Sequence, residues 1–507
     1  MNKKQSDGGI LTFQIPTEIA NTANILEKNN FEAYLIGGCV RDLLLGRKPK
    51  DWDITTNASP EEIIKIYPET FYENEYGTVG VVNKNTEDET LKVVEITPFR
   101  TEGKYSDSRR PDNVSFKASL EDDLKRRDFT INALALKIMG SDSKKGLYKA
   151  TILDIFGGIK DLNNGIIKAV GEPIERFGED ALRIVRAVRI ATELGFSIEE
   201  KTESAIGTTA ELLKKIAIER IREEFIKIVM SDNPMMGLNL CRKLGIIRFI
   251  LPELEEGIGI DQNQAHSYDV WEHTLRSLQH GAEKKWSLDV RLATLLHDIG
   301  KPATRKWSDD KKDWTFYGHD LVGSKIAKKA LTRLHFSTKD IEKISTLVRW
   351  HMFFSDTEII TLSAVRRMIA RVGKENMADL MQLRMCDRIG TGRPKESPYR
   401  LRKYQSMIEE AMRDPISVGM LKIDGSTIMK ITKIQPGPKI GYILNALLEE
   451  VIENPLLNTE EKLEKMAINM TNLSDIELKK LGEKAKENKE KKEEAEIDLI
   501  RKKYWVK

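Results

Sequence analysis

The pattern of apolar and polar positions changes about one third of the way along the chain. An amphipathic pattern over residues 10–30 predicts a helix, and the apolar run 33–36 that follows it predicts a buried strand. Further strand patterns lie at 80–82, 91–96 and 152–154. From about residue 175 onward, apolar residues recur with helical spacing. The pattern predicts an α+β multidomain protein whose first part contains a sheet and whose remainder is nearly all helix.

The length of the chain predicts several domains. At 507 residues it exceeds the roughly 250–300 residues at which a single hydrophobic core stops growing. We place soft boundaries near residues 170, 258 and 395. The resulting segments are a head (1–170), a helical neck (171–257), a histidine-rich domain (258–395), a helical body (396–470) and a charged C-terminal helix or tail (471–507).

The composition is that of an ordinary cytoplasmic protein. Hydrophobic residues make up 40% and charged residues 32%, and no apolar run reaches the ~18–20 residues that cross a bilayer. The N-terminus lacks the apolar stretch of a secretion signal, and three scattered cysteines fit a reducing compartment. A net charge of +3 is too small to indicate a nucleic-acid partner by itself, and the oligomeric state is not predicted.

The stretch YLIGGCVRDLLLGRKPKDWDITT begins as a strand and ends with two acids, Asp51 and Asp53. Carboxylates at i and i+2 of a strand project from one face, so both can ligate hard divalent cations such as Mg²⁺. Two such ions would stabilise the attacking and leaving oxygens of a phosphoryl displacement. Gly37 and Gly38 lack Cβ atoms, so their N–H groups can approach a triphosphate, and Arg41 adds a fixed charge.

This combination resembles the catalytic motif of class II tRNA nucleotidyltransferases and bacterial poly(A) polymerases, members of the DNA polymerase β superfamily. The resemblance implies a nucleotidyltransferase head with a mixed sheet. It implies Asp51 and Asp53 as the metal ligands, and Gly38 and Arg41 as nucleotide contacts. A third acid often follows on a later strand in that superfamily. Glu95 is the candidate, and an ordinary strand glutamate is the alternative.

The segment LKRRDFTINALAL, residues 124–136, resembles the second motif of this family and centres on Arg127 and Asp128. Arginine offers forked donors for phosphate, and aspartate can accept a hydrogen bond from a ribose hydroxyl. The alternative is a charge cluster that only caps and solvates the residues that follow.

The segment ERFGEDALRIVRAVRIATELGF, residues 175–196, predicts one helix with an apolar face and a row of charges. Asp180 and Arg183 would be surface neighbours on it. A carboxylate accepts from the exocyclic amine of cytosine or adenine, and a guanidinium donates to the adjacent ring atoms, whereas uracil and guanine carry a carbonyl there. The alternative is a weak surface ion pair. The resemblance implies a nucleotide template formed by Glu179, Asp180, Arg183, Arg186 and Arg189.

All seven histidines lie between His266 and His351. Six residues of ligand type follow the order of the HD phosphohydrolase superfamily, a domain that several bacterial tRNA nucleotidyltransferases carry after the neck. They are His273, His297, Asp298, His319, His351 and Asp387. The resemblance implies a divalent metal of unknown identity, and the domain either hydrolyses phosphate esters or serves as a scaffold.

Together these resemblances imply an enzyme that adds C, C and A to the 3′ end of tRNA from CTP and ATP without a template. Alternatives within the family are a CC-adding or A-adding enzyme and a poly(A) polymerase. An alternative of another class is an HD phosphohydrolase with a nucleotide-sensing head. Residues 99–116, with Arg109 and Arg110, resemble the flexible loop associated with addition of the terminal A.

Overall fold

The computed structural model describes residues 9–72, 77–84, 86–102, 114–116, 118–141, 146–263, 267–353, 360–412, 418–474 and 477–478. The chain forms two compact units, which are described one at a time. The first comprises Met1–Asp261, Asp269–Arg291 and Lys328–Thr338, and the second comprises Gln262–Tyr268, Leu292–Ala327 and Lys339–Lys507. The division into five predicted domains stays a prediction.

An eight-stranded mixed sheet forms the head of the first unit. Its strands are β1 (Leu11–Gln14), β2 (Ala33–Ile36), β3 (Asp53–Thr56), β4 (Thr70–Tyr72), β5 (Val79–Val82), β6 (Val93–Pro98), β9 (Leu134–Ser141) and β10 (Leu147–Asp154), and a separate two-stranded ladder pairs β7 (Thr101–Glu102) with β8 (Val114–Ser115). The strand order is β1-β10-β9-β2-β3-β6-β5-β4, and only the β3–β6 pair is parallel. The mixed sheet expected for the head is confirmed.

Helices pack apolar faces against this sheet. They are α1 (Thr17–Lys28), α2 (Gly38–Leu44), α3 (Pro60–Ile66), α4 (Leu120–Lys125) and α5 (Gly158–Asn164). Ile19 and Leu26 of α1 share a core with Leu35 of β2, Ile54 of β3 and Ile96 of β6, and all five are buried. The hydrophobic core of the head therefore includes the strands that carry Asp53 and Glu95.

The helix predicted over residues 10–30 was wrong at its start. Leu11 and Phe13 alternate with exposed neighbours and form β1, which pairs antiparallel with β10. Pro16 then precedes α1, because proline fits the start of a helix but cannot continue a strand ladder.

Helices dominate the remainder of the first unit. They are α6 (Pro173–Glu179), α7 (Leu182–Leu194), α8 (Glu200–Thr209), α9 (Ile218–Met230), α10 (Pro234–Lys243), α11 (Ile247–Ile250) and α12 (Val270–Glu283), with a short parallel pair, β11 (Ile166–Ile167) and β12 (Ser197–Ile198). The single helix predicted over 175–196 was wrong: the chain breaks at Asp180, which has extended backbone angles. The Asp180 carboxylate accepts a hydrogen bond from the backbone N–H of Leu182 at 3.0 Å, so it starts a second helix instead of continuing the first.

Helices also account for most of the chain after residue 287. They are α13 (Leu288–Leu296), α14 (Lys301–Thr304), α15 (His319–Arg333), α16 (Thr338–Trp350), α17 (Leu362–Val372), α18 (Met377–Gly390), α19 (Tyr399–Ala411), α20 (Gly425–Thr432), α21 (Pro438–Glu453) and α22 (Glu460–Thr471). A hairpin of β13 (Lys306–Ser308) and β14 (Asp313–Thr315) interrupts them. A separate core in the second unit joins α20, α21 and α22 through Ile428, Leu447 and Leu463. Among the described residues, no helix combines the length and the hydropathy needed to cross a membrane.

Candidate active site

The strand register brings two of the predicted acids together. Asp53, the first residue of β3, pairs with Glu95 of β6 in the parallel ladder and with Ile36 of β2 on the other side. Asp51 lies two residues earlier, exposed, and Asp53 is half-buried. Asp53 and Glu95 therefore lie side by side on two central strands, and Asp51 lies just before the first of them.

The electrostatics of Asp53 reflect this crowding. Burial raises its pKa, and the nearby carboxylates of Asp51 and Glu95 raise it further, to about 7, against the opposing effect of Arg127 and Arg186. Clustered carboxylate oxygens whose mutual repulsion is this strong fit the ligand preference of a hard divalent cation, which would relieve the repulsion. The donor set is thus suited to such an ion.

Two glycines let arginine side chains approach these acids. Gly37 has φ +78°, and a Cβ there would lie 3.0 Å from Nη1 of Arg127 and 3.5 Å from Oδ2 of Asp53. At Gly38 a Cβ would lie 3.6 Å from Nη2 of Arg41. The turn between β2 and α2 is therefore closely lined by both arginines, and any side chain at Gly37 would crowd Arg127 and strain the backbone.

Hydrogen bonds connect this turn to the neck. Arg41 Nη1 donates to Asn132 Oδ1 at 2.9 Å, and Asn132 Nδ2 donates to Asp128 Oδ1 at 3.2 Å. Arg186 on α7 then donates to Asp128 Oδ2 from Nε at 2.9 Å and from Nη2 at 2.6 Å. We call these four residues the head–neck chain. It joins the turn after β2 to the helix predicted to read the base.

Asp128 has a different set of partners from the one expected. Burial alone would raise its pKa, but the guanidinium of Arg186 outweighs burial and holds the pKa well below its usual range. Its two oxygens already accept from Phe129 N–H, Asn132 and both donors of Arg186. A carboxylate offers about four lone pairs, so the predicted ribose contact has no vacant acceptor in this arrangement.

The predicted base-reading residues have partners other than each other. Arg183, which is buried, donates from Nη1 to Glu179 Oε2 at 2.6 Å and from Nη2 to the backbone oxygen of Arg126 at 2.9 Å. Asp180 Oδ2 accepts from Arg220 Nη2 at 3.0 Å. The i, i+3 ion pair between Asp180 and Arg183 is absent from the described residues, because the helix break separates the two side chains. Arg183 nevertheless contacts the backbone of Arg126, the residue that precedes Arg127.

Sequence reasoning missed several residues of this network. Glu224 of α9 pairs with Arg189 Nε at 2.6 Å, and Arg220 of the same helix holds Asp180. Fully buried Asp123 pairs with Arg126 at 2.6 Å and with Arg127 at 3.5 Å. The sequence gives little signal for them, because each sits in an ordinary helical charge pattern, and Glu224 and Arg220 meet their partners only through tertiary contacts.

The second unit contains a buried histidine and aspartate cluster. Nε2 of His319 lies 3.4 Å from Asp298 Oδ1 and 3.3 Å from Nε2 of His351. Nε2 of His297 lies 3.2 Å from Asp298 Oδ2 and 3.7 Å from Asp387 Oδ1. Ligand atoms of Asp298, His319 and His351 all lie within 4.8 Å of one another.

Close packing explains how these residues meet. A Cβ at Gly300 would collide with the backbone oxygen of His319 and the backbone nitrogen of Gly323. Only glycine therefore lets the turn after His297 and Asp298 lie directly on the first turn of α15. Pro302 stands in the first turn of α14.

The histidine tautomers suit metal ligation. Nδ1 of His297, His319 and His351 each lies 2.7 Å from a backbone oxygen three residues earlier, of Thr294, Phe316 and Val348 respectively. A carbonyl can only accept, so each Nδ1 carries a hydrogen and each Nε2 faces the cluster, where it presents a lone pair when the ring is neutral. Two lone pairs 3.3 Å apart repel unless a cation or proton lies between them, which favours a metal here.

The pKa values of His351 and His297 also favour a metal in this cluster. Burial lowers the pKa of His351 to about 4, aided by the neighbouring His297 and His319, so its ring is neutral and able to ligate. Burial also opposes protonation of His297, but Asp298 and Asp387 outweigh it and raise its pKa to about 10. The surplus negative charge that attracts this proton would equally attract a divalent cation.

His273 is buried on α12 of the first unit, and its place among the metal ligands stays a prediction. Of the histidines set aside as incidental, His280 packs against Trp286 and His335 pairs with Glu219, while His266 lies outside the described residues. Arg109 and Arg110 also lie outside them.

Comparisons with known proteins agree with this architecture. A model described as "Poly A polymerase head domain" matches residues 33–168, one described as "Probable RNA and SrmB- binding site of polymerase A" matches 195–258, and "HD domain" matches 270–390. In fold, the chain is similar to the crystal structure of the Bacillus stearothermophilus CCA-adding enzyme in complex with CTP. The TM-score is 0.64 at 26% identity, over 90% of this chain and 97% of that one.

Two sequence relatives are closer in identity. A CCA-adding enzyme of Lactococcus lactis is 41% identical over 302 residues, which are 56% of this chain and 72% of the relative. A CCA-adding enzyme of Ligilactobacillus salivarius is 35% identical over 453 residues, which are 89% of this chain and 96% of the relative. The similarity to the Ligilactobacillus salivarius enzyme extends along nearly the whole length of both chains, so the protein belongs to the family of CCA-adding enzymes.

Proposed function

We propose that this chain adds C, C and A in turn to the 3′ end of tRNA, using CTP and ATP. The 3′-hydroxyl oxygen forms a bond to the α-phosphorus, the bond from that phosphorus to the β-phosphate bridging oxygen breaks, and pyrophosphate leaves. The observation that carries the proposal is the head–neck chain, which joins the turn beside Asp53 to the helix that would read the base. Without this connection, one nucleotide could not be held at both ends. The cytoplasmic location stays a prediction.

Asp51 and Asp53 would hold the divalent ions, with Glu95 as a third acid, and Mg²⁺ is the ion we propose. When bound, such ions act as Lewis acids that stabilise the oxygens of an in-line displacement. Gly38 leaves room for the triphosphate, and Arg41 and Arg127 would donate to its oxygens. Most of the rate enhancement would come from alignment and electrostatics rather than from covalent chemistry.

The charged residues of the neck would select the nucleotide. Asp180 would accept from the exocyclic amine of cytosine or adenine once it exchanges its bond to Arg220, and Arg183 would donate to the adjacent ring atoms. Glu179, Asp128 and Glu224 would act as positioning residues for Arg183, Arg186 and Arg189. This arrangement supports a protein template, since each arginine is fixed by its own carboxylate.

Three tRNA substrates test the proposed function: one lacking CCA, one lacking CA and one lacking only the final A. Each is incubated with CTP, ATP or both, and the 3′ ends are sequenced. Completion of all three to CCA is the expected result. Extension that stops after CC, or that occurs only on the third substrate, would assign a partial activity. A long run of A would assign a poly(A) polymerase.

We expect affinity for divalent metal at the head to depend on pH near neutrality. Below its pKa of about 7, Asp53 carries a proton that the metal must displace, so affinity falls as pH decreases, by about tenfold per unit at most. Titration calorimetry of the full chain with Mg²⁺ at pH 6 and pH 8, in two buffers of different ionisation enthalpy, measures both affinity and proton release. Equal affinity at the two pH values would contradict the assignment of Asp53 as a ligand.

A second candidate activity is metal-dependent hydrolysis of phosphate esters by the histidine and aspartate cluster. The opposed Nε2 atoms of His319 and His351, both directed at Asp298, favour it. Whether this cluster acts as a catalyst or a scaffold is a separate question from nucleotide addition.

Asp298→Asn is expected to remove the metal of this cluster, because it replaces a charged ligand shared by three histidines with a neutral amide. Metal content per chain, measured by mass spectrometry after gel filtration, should fall by about one ion. CTP incorporation into tRNA should be unchanged. His335→Asn serves as the matched control, since His335 lies outside the cluster, and it should retain the metal. Loss of CTP incorporation in a folded Asp298→Asn protein would contradict this separation, because it would make nucleotide addition depend on the cluster.

A further inference from the structure

The hairpin of β13 and β14, with its flanking residues, displays aromatic rings on one face. Trp307 and Trp314 are directly opposite in the ladder, and their ring centroids are 5.3 Å apart. The guanidinium of Arg305 lies 3.7 Å above the ring of Trp314. Trp307 remains 52% exposed, although tryptophan is usually covered in a folded protein. We call residues 305–317 the aromatic hairpin.

A second aromatic and cationic pair lies at the end of this segment. Tyr317 is 54% exposed, its hydroxyl accepts from Lys311 Nζ at 2.8 Å, and the same Nζ lies 5.3 Å from its ring centroid. Lys306 and Lys312 are exposed as well. Within residues 305–317 there are four cationic and three acidic side chains. The surface thus combines exposed ring planes with a surplus of positive charge.

The aromatic hairpin also adjoins the histidine and aspartate cluster. Buried Phe316 has Lys301 Nζ 5.7 Å from its ring centroid, and that Nζ lies 2.6 Å from Asp298 Oδ2. The backbone oxygen of Phe316 accepts the hydrogen bond from His319 Nδ1 at 2.7 Å. An extended ligand lying along the aromatic hairpin would therefore lead toward the metal ligands.

We propose that the aromatic hairpin binds single-stranded RNA, with a base stacked on Trp307 and the lysines at the phosphates. This function goes beyond nucleotide addition and does not depend on it. Every base has a flat face that stacks on an aromatic ring, and nearby cations attract the backbone, so the combination suits a strand without regard to its sequence. A membrane fits less well, because insertion of the hairpin tip into lipid would bury the charged Asp309 and Asp310, whereas a base can stack on the face of Trp307 and leave them in water.

Binding of a fluorescein-labelled RNA hexamer with a 3′-phosphate, followed by anisotropy, tests this proposal on the full chain. The blocked end prevents extension. Because stacking on one aromatic ring contributes about 1–3 kcal/mol per base, Trp307→Ala should weaken binding by about 5- to 100-fold, and Trp307→Phe should restore most of it. Tyr399→Ala removes a ring that is 67% exposed on α19 and should leave the affinity unchanged. CTP incorporation into tRNA should be the same in all four proteins.

A photocrosslink decides the matter if Trp307→Ala fails to fold. The unaltered protein is irradiated with a hexamer containing 4-thiouridine, and the crosslinked peptide is identified by mass spectrometry. A crosslink within residues 305–317 supports the proposal. Crosslinks only elsewhere, or equal affinity of wild type and a folded Trp307→Ala, would overturn it. The proposal would also be overturned if Trp307→Ala no longer sedimented with phosphatidylglycerol vesicles but kept its affinity for RNA. That result would assign the surface to lipid.

Discussion

Asp53→Asn should lower the rate of CTP incorporation into tRNA lacking CCA by about a thousandfold or more. The substitution keeps the shape of the side chain but removes the charge that would hold a divalent ion beside the triphosphate. Removing one preorganised electrostatic contact at a reacting phosphate or oxyanion typically costs about 10²–10³ in rate, and loss of the ion adds to this. Single-turnover incorporation, with the 3′ ends resolved by gel, measures the effect.

Glu61→Gln is the matched control for this variant. Glu61 is an exposed carboxylate on α3 of the same head, and its neutralisation should leave the rate unchanged. Melting of both proteins should be compared, because the raised pKa of Asp53 means that the charged form is unfavourable in the fold. Incorporation that survives in folded Asp53→Asn protein would refute the head mechanism.

Asp180→Asn is expected to reduce the preference for CTP over UTP by about 10- to 100-fold. A carboxylate can only accept, so it favours the amine of cytosine and repels the carbonyl of uracil. A carboxamide presents both a donor and an acceptor and can serve either base. A hydrogen bond to a charged group contributes about 1.5–3 kcal/mol, which sets this range. The ratio is measured by competition between CTP and UTP on tRNA lacking CCA.

Glu175→Gln provides the comparison, because Glu175 is an exposed acid on α6 just before the helix break. It should keep the full preference for CTP. Arg220→Lys separates a direct effect from an indirect one: if Arg220 only orients Asp180, the lysine should retain most of the selectivity. An unchanged ratio in Asp180→Asn would remove Asp180 from base selection.

Strand patterns predicted a sheet in the first part of the chain, and the family resemblance predicted that this sheet is mixed. The Asp-x-Asp spacing predicted both acids on one strand. Asp53 does begin β3, but Asp51 lies before it, so the prediction was wrong for Asp51. For the cluster around Asp298, the resemblance supplied the order of the ligand-type residues, which spread over residues 273–387. The residues themselves reveal only short patterns, because alternate residues of a strand share a face.

The long-range partners were not predictable in this way. Arg41 and Asn132 are 91 residues apart, and no periodicity links them. The break at Asp180 was hidden because residues 175–196 keep a helical pattern throughout. What ends α6 is a competition in which the Asp180 side chain captures the N–H of Leu182, and propensity alone does not reveal that outcome.

The head–neck chain also limits how the enzyme can change from adding C to adding A. Three consecutive hydrogen-bonded links tie Arg41 to Arg186. If α7 moved away from the sheet far enough to accommodate a purine in place of a pyrimidine, at least one of these hydrogen bonds would break. Buried Asp128 would then lose a partner. The larger purine ring is therefore accommodated at the lowest cost in free energy by rotamer changes around Asp180 and Arg220, while the backbone of α7 stays in place.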